Sequence, residues 1–382
     1  MTYSLLATAP LGLESIVARE LAELGYPPTR TDNGRIFFSA DAPGIARCNL
    51  WLRAADRVHL VVGRFPALTF DELFEGTRAL PWADILPREA RFPVAGRSQK
   101  SRLQSVPACQ SIVKKAIVKN LQSHYRQEWF AESGDEYAIE VSLMNDEALL
   151  TLDTSGQGLH KRGYRAPGGP APIKETLAAA LVLLSRWDPQ RPFADPLCGT
   201  GTIAIEAALV GRRIAPGLRR AFAAEKFPWV SGKVFEQSRQ AARDQMLPAG
   251  TLDIHASDHD AGAITQCKDN ARRAGVLDDI RCVAHTLREF APNGPYGCLV
   301  TNPPYGERMG EEREVSVLYR ELGAWMDRAP AWSLFVIASR PDFEKLLGRR
   351  ADKTRKLYNG RIECRLFQYL GPLPPRREAP LS

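Results

Sequence analysis

The chain contains the stretch Ala194-Asp195-Pro196-Leu197-Cys198-Gly199-Thr200-Gly201-Thr202, followed by an apolar run over residues 203–209. This order predicts a strand, a glycine-rich turn and a helix. The glycines at 199 and 201 let the backbone approach a ligand, and exposed amides at the helix start can receive a carboxylate. The stretch lacks the G-x-G-x-x-G dinucleotide fingerprint and the lysine of a P-loop. It therefore predicts a different nucleotide-binding turn within an α/β sheet.

A second strand is predicted over residues 252–258, and it ends in Ser257 and Asp258. Asp258 can accept both hydroxyls of a ribose, although a carboxylate at this position also serves as a helix cap. Further strands are predicted near residues 193, 280, 298, 333 and 363, with helices between most of them and a closing hairpin at the end. The alternation predicts a doubly wound sheet whose loops at the carboxyl ends of strands share one crevice.

The loop after the strand near residue 298 reads Thr301-Asn302-Pro303-Pro304-Tyr305. An amino group on a nucleobase is a poor nucleophile because its lone pair is delocalised into the ring. The Asn302 side-chain oxygen and the Pro303 carbonyl can accept both amine hydrogens and orient the lone pair towards a methyl donor. Pro304 helps stiffen the turn, and Tyr305 can stack on the base. The pattern favours methyl transfer to an exocyclic amine, with a simple proline-stiffened turn as the alternative.

The first half of the chain has a different pattern. Strands at 4–8, 35–39 and 57–65, with helices at 13–24 and 45–52, predict a small α+β unit of ferredoxin-like type. An amphipathic helix at 110–125 follows, and alternating strands at 136–143 and 147–153 are predicted to form a hairpin. A Gly- and Pro-rich stretch at 163–172 is the predicted linker.

Basic residues are concentrated in two parts of the sequence. The chain has 51 Lys and Arg against 44 Asp and Glu, and its formal net charge of +7 favours a polyanionic partner. Residues 88–119 contain eight basic side chains and the single acid Glu89, and a smaller basic cluster follows at 161–165. Phosphate contacts are expected from Arg97, Lys100, Arg102, Lys114, Lys115, Lys161, Arg162 and Arg165. The alternative for both clusters is an ordinary solvated face.

The seven cysteines give no sign of a metal site. They lie at positions 48, 109, 198, 267, 282, 298 and 364, with no C-x-x-C pair and no histidine at zinc-ligand spacing. Free thiols of this kind fit a reducing cytosol. The N-terminal residues lack the basic and apolar segments of a signal peptide, and no apolar run reaches ~18 residues. A cytoplasmic protein without membrane contact is therefore expected.

These motifs, in this chain order, resemble those of class I S-adenosylmethionine-dependent methyltransferases that modify amino groups of nucleic-acid bases. The likeness extends to residues 92–119 and 152–165, which resemble a THUMP domain, to 173–181, and to Arg355-Lys356-Leu357-Tyr358-Asn359-Gly360. Nearly the whole chain is thus similar to bacterial THUMP-containing methyltransferases of the RlmL and YpsC type. The resemblance implies a ferredoxin-like segment at 1–66, a THUMP RNA-binding domain at 67–158, a linker at 159–172 and a methyltransferase domain at 173–382.

The resemblance also implies the cofactor S-adenosylmethionine and a structured RNA partner. The implied cofactor contacts are Asp195, Pro196, Leu197, Cys198, Gly199, Thr200, Gly201, Thr202, Ser257, Asp258, His285, Thr286 and Asn302. The implied reaction methylates N2 of a guanosine in 23S ribosomal RNA, free or in an assembly intermediate, through Asn302, Pro303, Pro304 and Tyr305. A guanosine in tRNA, as for the related TrmN enzymes, is the alternative. A DNA adenine-N6 methyltransferase and a noncatalytic RNA-binding assembly factor are the rival classes, and the oligomeric state is left open.

One position departs from the family pattern. Enzymes of this class usually carry an acid after the third strand, near the cofactor adenine, and His285 occupies about that place here. Backbone groups of residues 284–286 can still bind adenine, with His285 as a substitute donor or acceptor, or His285 has no role. Glu307 and Arg308 are expected either to support the substrate loop or to act as simple caps. Cys198 is not expected to act as a nucleophile.

Overall fold

The computed structural model describes residues 1–165, 173–305 and 311–375. The chain divides into two compact units, one formed by residues 1–9, 17–159 and 220–241, and the other by residues 10–16, 160–219 and 242–382. Each unit contains a seven-stranded sheet. Within the described ranges no helix combines the length and apolarity that a membrane span requires.

The helices and strands of residues 1–165 follow one another in this order: β1 (Tyr3–Thr8), α1 (Glu14–Glu23), β2 (Arg30–Asp32), β3 (Arg35–Ala40), α2 (Ala42–Trp51), β4 (Arg57–Pro66), α3 (Phe70–Arg78), α4 (Trp82–Ile85), β5 (Val94–Gln99), α5 (Val106–Tyr125), β6 (Ile139–Met144) and β7 (Glu147–Asp153).

The elements after residue 172 are α6 (Glu175–Leu184), β8 (Phe193–Asp195), α7 (Thr202–Gly211), α8 (Gly232–Asp244), β9 (Ile254–Asp258), α9 (Ala261–Ala274), β10 (Ile280–Ala284), β11 (Cys298–Thr301), α10 (Glu311–Arg328), β12 (Ser333–Ala338), α11 (Phe343–Leu347), β13 (Lys353–Asn359) and β14 (Ile362–Tyr369). Short 3-10 turns lie at Ala223–Lys226 and Leu277–Asp279.

The first unit has the strand order β2-β3-β1-β4-β7-β6-β5. Its strands pair antiparallel except for β5 and β6, which are parallel. The predicted hairpin is confirmed, because β6 and β7 pair across a turn at Asn145 and Asp146. Both turn residues have positive φ, 51° and 62°, which suits the right-handed twist of the two strands. The segments expected to be ferredoxin-like and THUMP-like therefore contribute to one continuous sheet.

Helix α5 begins earlier than its sequence pattern indicated. The pattern predicted residues 110–125, and the helix spans Val106–Tyr125 with Ser105 at its N-cap. Pro107 lies in the first turn, where its missing N–H has no intrahelical partner to lose. The buried face is Cys109, Val113, Ala116, Ile117 and Leu121, at the spacing of a helix that packs on one side.

Residues 220–241 belong to the first unit although they lie between strands of the second sheet. Their aromatic side chains explain this placement. Phe227 stacks on Tyr137 with ring centroids 4.6 Å apart, and Trp229 lies 5.1 Å from Tyr3. Aromatic pairs contribute about 0.5–1.5 kcal/mol each beyond the burial of their surface.

The second unit has the strand order β10-β9-β8-β11-β12-β14-β13. The five strands from β10 to β12 are parallel, and β14 runs antiparallel to β12 and β13. The predicted doubly wound sheet and its closing hairpin are confirmed. The chain order reverses between β8 and β11, so a crevice is expected at the carboxyl ends of these two strands.

A large aromatic cluster fills part of the core of the second unit. Phe290, Trp325 and Trp332 have ring centroids 5.8–6.4 Å apart, and Tyr319 and Phe343 continue the cluster. All five side chains are at least 95% buried. The cluster includes residues of β11, β12 and α10, so it helps to fix the strand from which the Asn302 loop starts.

Candidate active site

Two strand ends meet through a buried hydrogen bond. Asp195 is the last residue of β8 and Thr301 is the last residue of β11, and both are at least 99% buried. The Thr301 hydroxyl donates to Asp195 Oδ1 over 2.7 Å. Hydrogen bonds to a charged acceptor are shorter and stronger than neutral ones. This bond therefore joins the glycine-rich turn after β8 to the Asn-Pro-Pro-Tyr loop after β11.

Burial disfavours a negative charge on the Asp195 carboxyl. Removal from water raises the pKa of Asp195 to about 7, and the nearby negative charge of Asp258 adds to the rise. The hydrogen bond from Thr301 opposes this shift without cancelling it. A buried carboxylate in this state gains most from a cationic ligand group, because a positive charge nearby would restore its ionised form.

The turn predicted from its two glycines adopts the conformation that requires them. Gly199 and Gly201 have φ values of +50° and +84°. A Cβ at 201 would lie 2.3 Å from the sulfur of Cys267, whereas one at 199 would meet no atom of the described chain within 4 Å. Gly201 thus serves chain packing, and Gly199 borders open space beside the turn.

The turn is tied to the end of β9. The Cys198 N–H donates to the Ser257 carbonyl and the Gly199 N–H donates to Asp258 Oδ2, each over 2.9 Å. Asp258 Oδ1 accepts from the Asp260 N–H over 3.0 Å. The Ser257 hydroxyl is buried and meets no hydrogen-bond partner among the residues described. An orphaned hydroxyl and a carboxylate beside an open turn fit a ligand that carries polar groups.

The loop after β10 uses its backbone donors within the protein. The His285 N–H donates to the Asp258 carbonyl over 3.0 Å, and the Thr286 N–H donates to Glu289 over 2.7 Å. The His285 ring nitrogen Nε2 lies 3.3 Å from that of His255, whose pKa is lowered to about 4 by burial and by His285. The two N–H groups are already satisfied, and the other ring nitrogen of His285, Nδ1, lies 3.0 Å from the Thr286 carbonyl oxygen. The expected adenine contact at His285 and Thr286 stays a prediction.

Sequence reasoning missed the partner of Thr286. Glu289 accepts from both the N–H and the hydroxyl of Thr286, and these bonds lower the pKa of Glu289. The Thr-x-x-Glu spacing is a capping-box pattern and was visible in the sequence. Glu289 therefore places an acid near His285, the position at which the sequence departs from the family pattern.

The Asn-Pro-Pro-Tyr loop forms a hydrogen-bonded chain. The Tyr305 hydroxyl donates to Asn302 Oδ1 over 2.7 Å and accepts from Asn359 Nδ2 over 3.3 Å. Burial raises the pKa of Tyr305 above its ordinary value, so the hydroxyl keeps its proton. Because that single proton is used towards Asn302, the amide of Asn302 turns its oxygen, and not its nitrogen, to Tyr305. Asn359, on β13, had no local sequence signal for this role.

The two prolines lie between these groups. Pro303 is buried and Pro304 is exposed, and the Pro304 carbonyl accepts from the Tyr319 hydroxyl over 3.3 Å. The expected roles of the Pro303 carbonyl as an amine acceptor and of the Tyr305 ring as a stacking surface stay predictions. Glu307 and Arg308 lie outside the described residues.

The basic side chains expected at the RNA surface fall into two groups. Those that are exposed are Arg97, Lys100, Arg102, Lys115 and Lys161. Lys100 and Arg102 line a surface cavity of about 540 Å³ together with Ser98, Ser101, Gln104 and Asp146. Arg97 pairs with Glu140 over 3.0 Å, which restricts its guanidinium.

Three of the basic side chains are held by the protein instead. Arg162 is 97% buried and faces the buried Glu206 at 3.5 Å, so the expected phosphate contact at Arg162 is wrong: a buried ion pair occupies its guanidinium. Arg165 donates to the Thr202 hydroxyl over 2.5 Å and so supports the start of α7. Lys114 is half-buried against Phe92 and pairs with Glu132 over 2.6 Å.

Two of the thiols lie close together in the second unit. Cys267 and Cys282 approach to 3.6 Å between their sulfurs, beneath Gly201. A contact with Cys198 and burial raise the pKa of the Cys267 thiol, and the contact with Cys267 and burial raise the pKa of the Cys282 thiol. Over the described ranges, no group of three or more His, Cys, Asp or Glu side chains is arranged to hold a metal ion.

Comparison with known families accounts for most of the chain. An RlmL ferredoxin-like domain matches residues 4–59, a THUMP domain matches 67–153, and an RMKL-like methyltransferase domain matches 162–368. YpsC of Bacillus subtilis (strain 168), provisionally named an RNA methyltransferase, is 48% identical over 98% of this chain and 98% of its own. Ribosomal RNA large subunit methyltransferase K/L of Marinomonas sp. (strain MWYL1) is 31% identical over 96% of this chain, which spans only 52% of that protein.

Two solved structures are similar along almost the full length. A Listeria monocytogenes (strain 4b F2365) protein, named as a predicted N6-adenine-specific DNA methylase, is 51% identical with a TM-score of 0.92, and the match covers 97% of each chain. SMU.472, provisionally named a methyltransferase and complexed with S-adenosylhomocysteine, is 44% identical with a TM-score of 0.92, over 97% of this chain and 98% of its own. The names of these relatives disagree on the nucleic acid and agree on methyl transfer.

Alanine substitutions at Gly199 and Gly201 should have different effects, because Gly199 borders space for a ligand and Gly201 packs against the protein. Gly201→Ala forces a methyl group against the Cys267 sulfur, so the melting temperature of the ligand-free protein should fall by several degrees. Gly199→Ala meets no protein atom and should cost only about 1–2 kcal/mol of backbone strain, but should weaken S-adenosylhomocysteine binding at least tenfold. Melting curves and calorimetric titration measure the two effects. Gly250→Ala is the matched control, because Gly250 also has positive φ and open space; equal affinity of the 199 and 250 variants contradicts the assignment.

The raised pKa of Asp195 predicts a pH effect on stability. The folded state binds the proton more tightly than the unfolded chain, so this contribution is present at low pH and is lost as pH rises from about 4 to about 7. Asp195→Asn removes the titration and keeps an acceptor for Thr301. Relative to this variant, the ligand-free wild type should lose up to about 1.4 kcal/mol per pH unit between pH 5 and 7. Melting temperatures of both proteins across that range test this, and a constant difference would contradict it.

Proposed function

Because this chain belongs to the THUMP-containing RMKL-like methyltransferases, and its cofactor is therefore S-adenosylmethionine, we propose that it methylates the N2 amine of a guanosine in 23S ribosomal RNA. The observation that carries the proposal is the Asn302 loop at the end of β11, joined through the Thr301–Asp195 hydrogen bond to the glycine-rich turn. The hydrogen-bond acceptors of the Asn302 loop would then lie beside the glycine-rich turn, at one crevice of the sheet.

The residues around the turn fit the cofactor. We assign the cofactor ammonium to the neighbourhood of the buried Asp195 carboxylate, and the ribose hydroxyls to Asp258 and the orphaned Ser257 hydroxyl. Because Gly199 has no side chain, the space beside the turn stays open and the cofactor can approach the backbone there. When bound, the cofactor supplies an electrophilic methyl group on a sulfonium. The chain itself supplies position and electrostatic field.

Orientation of the amine is the task of Asn302 and Pro303. The Asn302 oxygen already accepts one hydrogen bond from Tyr305, and its second lone pair is left for a substrate amine. With the Pro303 carbonyl as the other acceptor, both amine hydrogens are held and the nitrogen lone pair is directed out of the base plane. The methylated amine loses its proton readily, so no strong general base is required. The target guanine has to leave its stack to reach this loop, and the Tyr305 ring is the surface offered to it.

The choice of nucleic acid rests on the first unit. The exposed cluster of Arg97, Lys100, Arg102 and Lys115 and the match to a THUMP domain favour RNA over DNA. The name of the K/L relative favours large-subunit ribosomal RNA, although this chain spans about half of that protein. A guanosine in tRNA is the second candidate, because the chain also resembles the related TrmN enzymes, which act on tRNA. A DNA adenine methyltransferase and a noncatalytic assembly factor are outcomes that the following experiment also detects.

The first experiment compares N2-methylguanosine in 23S ribosomal RNA and in tRNA from cells with and without this gene, by nuclease digestion and mass spectrometry. We expect loss from the 23S fraction alone, restored by the wild-type gene and not by Asn302→Ala, because one of two amine acceptors is removed. Asn293→Ala, an exposed asparagine, is the matched control. Loss from tRNA alone assigns the protein to the TrmN-like class. No loss from either fraction, or full restoration by Asn302→Ala, contradicts the proposal.

Tyr305→Phe tests the orientation of the Asn302 amide. The variant keeps the ring but removes the hydroxyl that fixes the amide oxygen, so the single-turnover rate of methyl transfer should fall several-fold with little change in the KM for RNA. Asn359→Ala should shift the rate in the same direction, because it removes the donor to that hydroxyl. Tyr358→Phe, at the neighbouring position, is the control. An unchanged rate in Tyr305→Phe would show that the hydroxyl has no orienting role.

A further inference from the structure

A second cavity lies in the catalytic unit, away from the crevice. It encloses about 340 Å³, within the range of pockets that hold small ligands. Four segments line it: the chain before α6, the end of α7 with the loop after it, the end of α8, and the end of α9. The lining residues are Arg162, Tyr164, Leu209, Ile214, Ala215, Pro216, Leu218, Arg219, Arg243, Met246, Ala274 and Gly275.

The position of this cavity separates it from the cofactor turn. Helix α7 begins directly after Gly201 and α9 begins shortly after Asp258, so both start at the crevice. The cavity is at their opposite ends. At 1.5 Å per residue, the 10 residues of α7 and the 14 of α9 put it about 15–20 Å from the turn. A group bound here is therefore not the base that is methylated.

The charge of the lining is positive. It contains three arginines and no acidic side chain. Arg162 faces the buried Glu206, whereas Arg219 and Arg243 are both exposed. The Arg219 guanidinium lies over Gly275, 2.6 Å from the place of a Cβ. Glycine at 275 thus lets this arginine stay against the cavity wall.

The remaining wall is apolar. Leu209, Ile214 and Ala215 are buried beneath the cavity, while Met246 at its rim is 37% exposed. A methionine is soft and adaptable, and it packs well against a flat ring. Arginines beside an apolar wall suit a ligand that combines a phosphate with a planar ring, which is a nucleotide.

We propose that this cavity binds one nucleotide of the RNA substrate at a distance from the methylated base, with the phosphate at Arg219 and Arg243 and the base or ribose on Met246. The proposal rests on the proposed function, because only an RNA substrate brings a covalently linked nucleotide to this face. It assigns to the catalytic unit a specificity contact that does not depend on the THUMP-like strands. A nucleotide held here would select RNA by the distance between it and the target guanosine.

Charge reversal at the cavity tests this. The probe is deproteinised 23S ribosomal RNA from cells that lack the gene, with S-adenosylmethionine as methyl donor. Arg219→Glu should raise the KM for RNA about tenfold, leave kcat and S-adenosylhomocysteine affinity unchanged, and reduce the slope of log affinity against log salt by about one. Met246→Ala should weaken RNA binding without a change in that slope, because it removes apolar contact only.

The control is Arg272→Glu, which changes an exposed arginine on α9 that pairs with Asp269 and does not line the cavity. If Arg219→Glu and Arg272→Glu have the same KM for RNA, the cavity is not a nucleotide site. If the wild type methylates 23S RNA and the cavity variants have the same KM for RNA as the wild type, this inference alone is overturned. Absence of transfer by the wild type to 23S RNA overturns the proposed function first, so the two failures are distinguishable.

Discussion

The site depends on one buried hydrogen bond, from the Thr301 hydroxyl to the Asp195 carboxyl. It lies where the strand order reverses, so it joins β8 to β11 at the point where an open parallel sheet forms a crevice. Its acceptor is costly to bury, as the raised pKa of Asp195 indicates. A hydrophobic pair in the same place would avoid that cost. The cost is offset if the site is arranged for a ligand that carries a positive charge.

The parts that follow local rules could be predicted from the sequence. The glycines at 199 and 201 predicted a tight turn, and the Thr301-Asn302 junction predicted a strand end, because both patterns act over a few residues. The hairpin of β6 and β7 was equally local, since Asn and Asp tolerate the left-handed region. The doubly wound sheet followed from the alternation of these units along the chain.

The parts that were missed depend on distant residues. Asn359 reaches Tyr305 across 54 positions of sequence, and Glu206 neutralises Arg162 across 44, so no local pattern distinguishes them. Arg162 in particular was read as a surface cation because it sits in a basic run. Burial cannot be read from such a run when the countercharge lies on another helix. The aromatic residues of 220–241 were missed for the same reason, since their partners Tyr3 and Tyr137 lie in another part of the chain.

The shared sheet of the first unit has a consequence for how this protein can be divided. Strand β4 pairs with β1 on one side and with β7 on the other, over seven residue pairs on the β7 side. A fragment that starts at residue 67 would lack β4 and leave the backbone donors and acceptors of β7 open to solvent. An unprotected strand edge recruits other chains and promotes aggregation. The THUMP-like strands are therefore not a separable sheet: a fragment in which β7 keeps its partner must include β4, and β4 in turn pairs with β1.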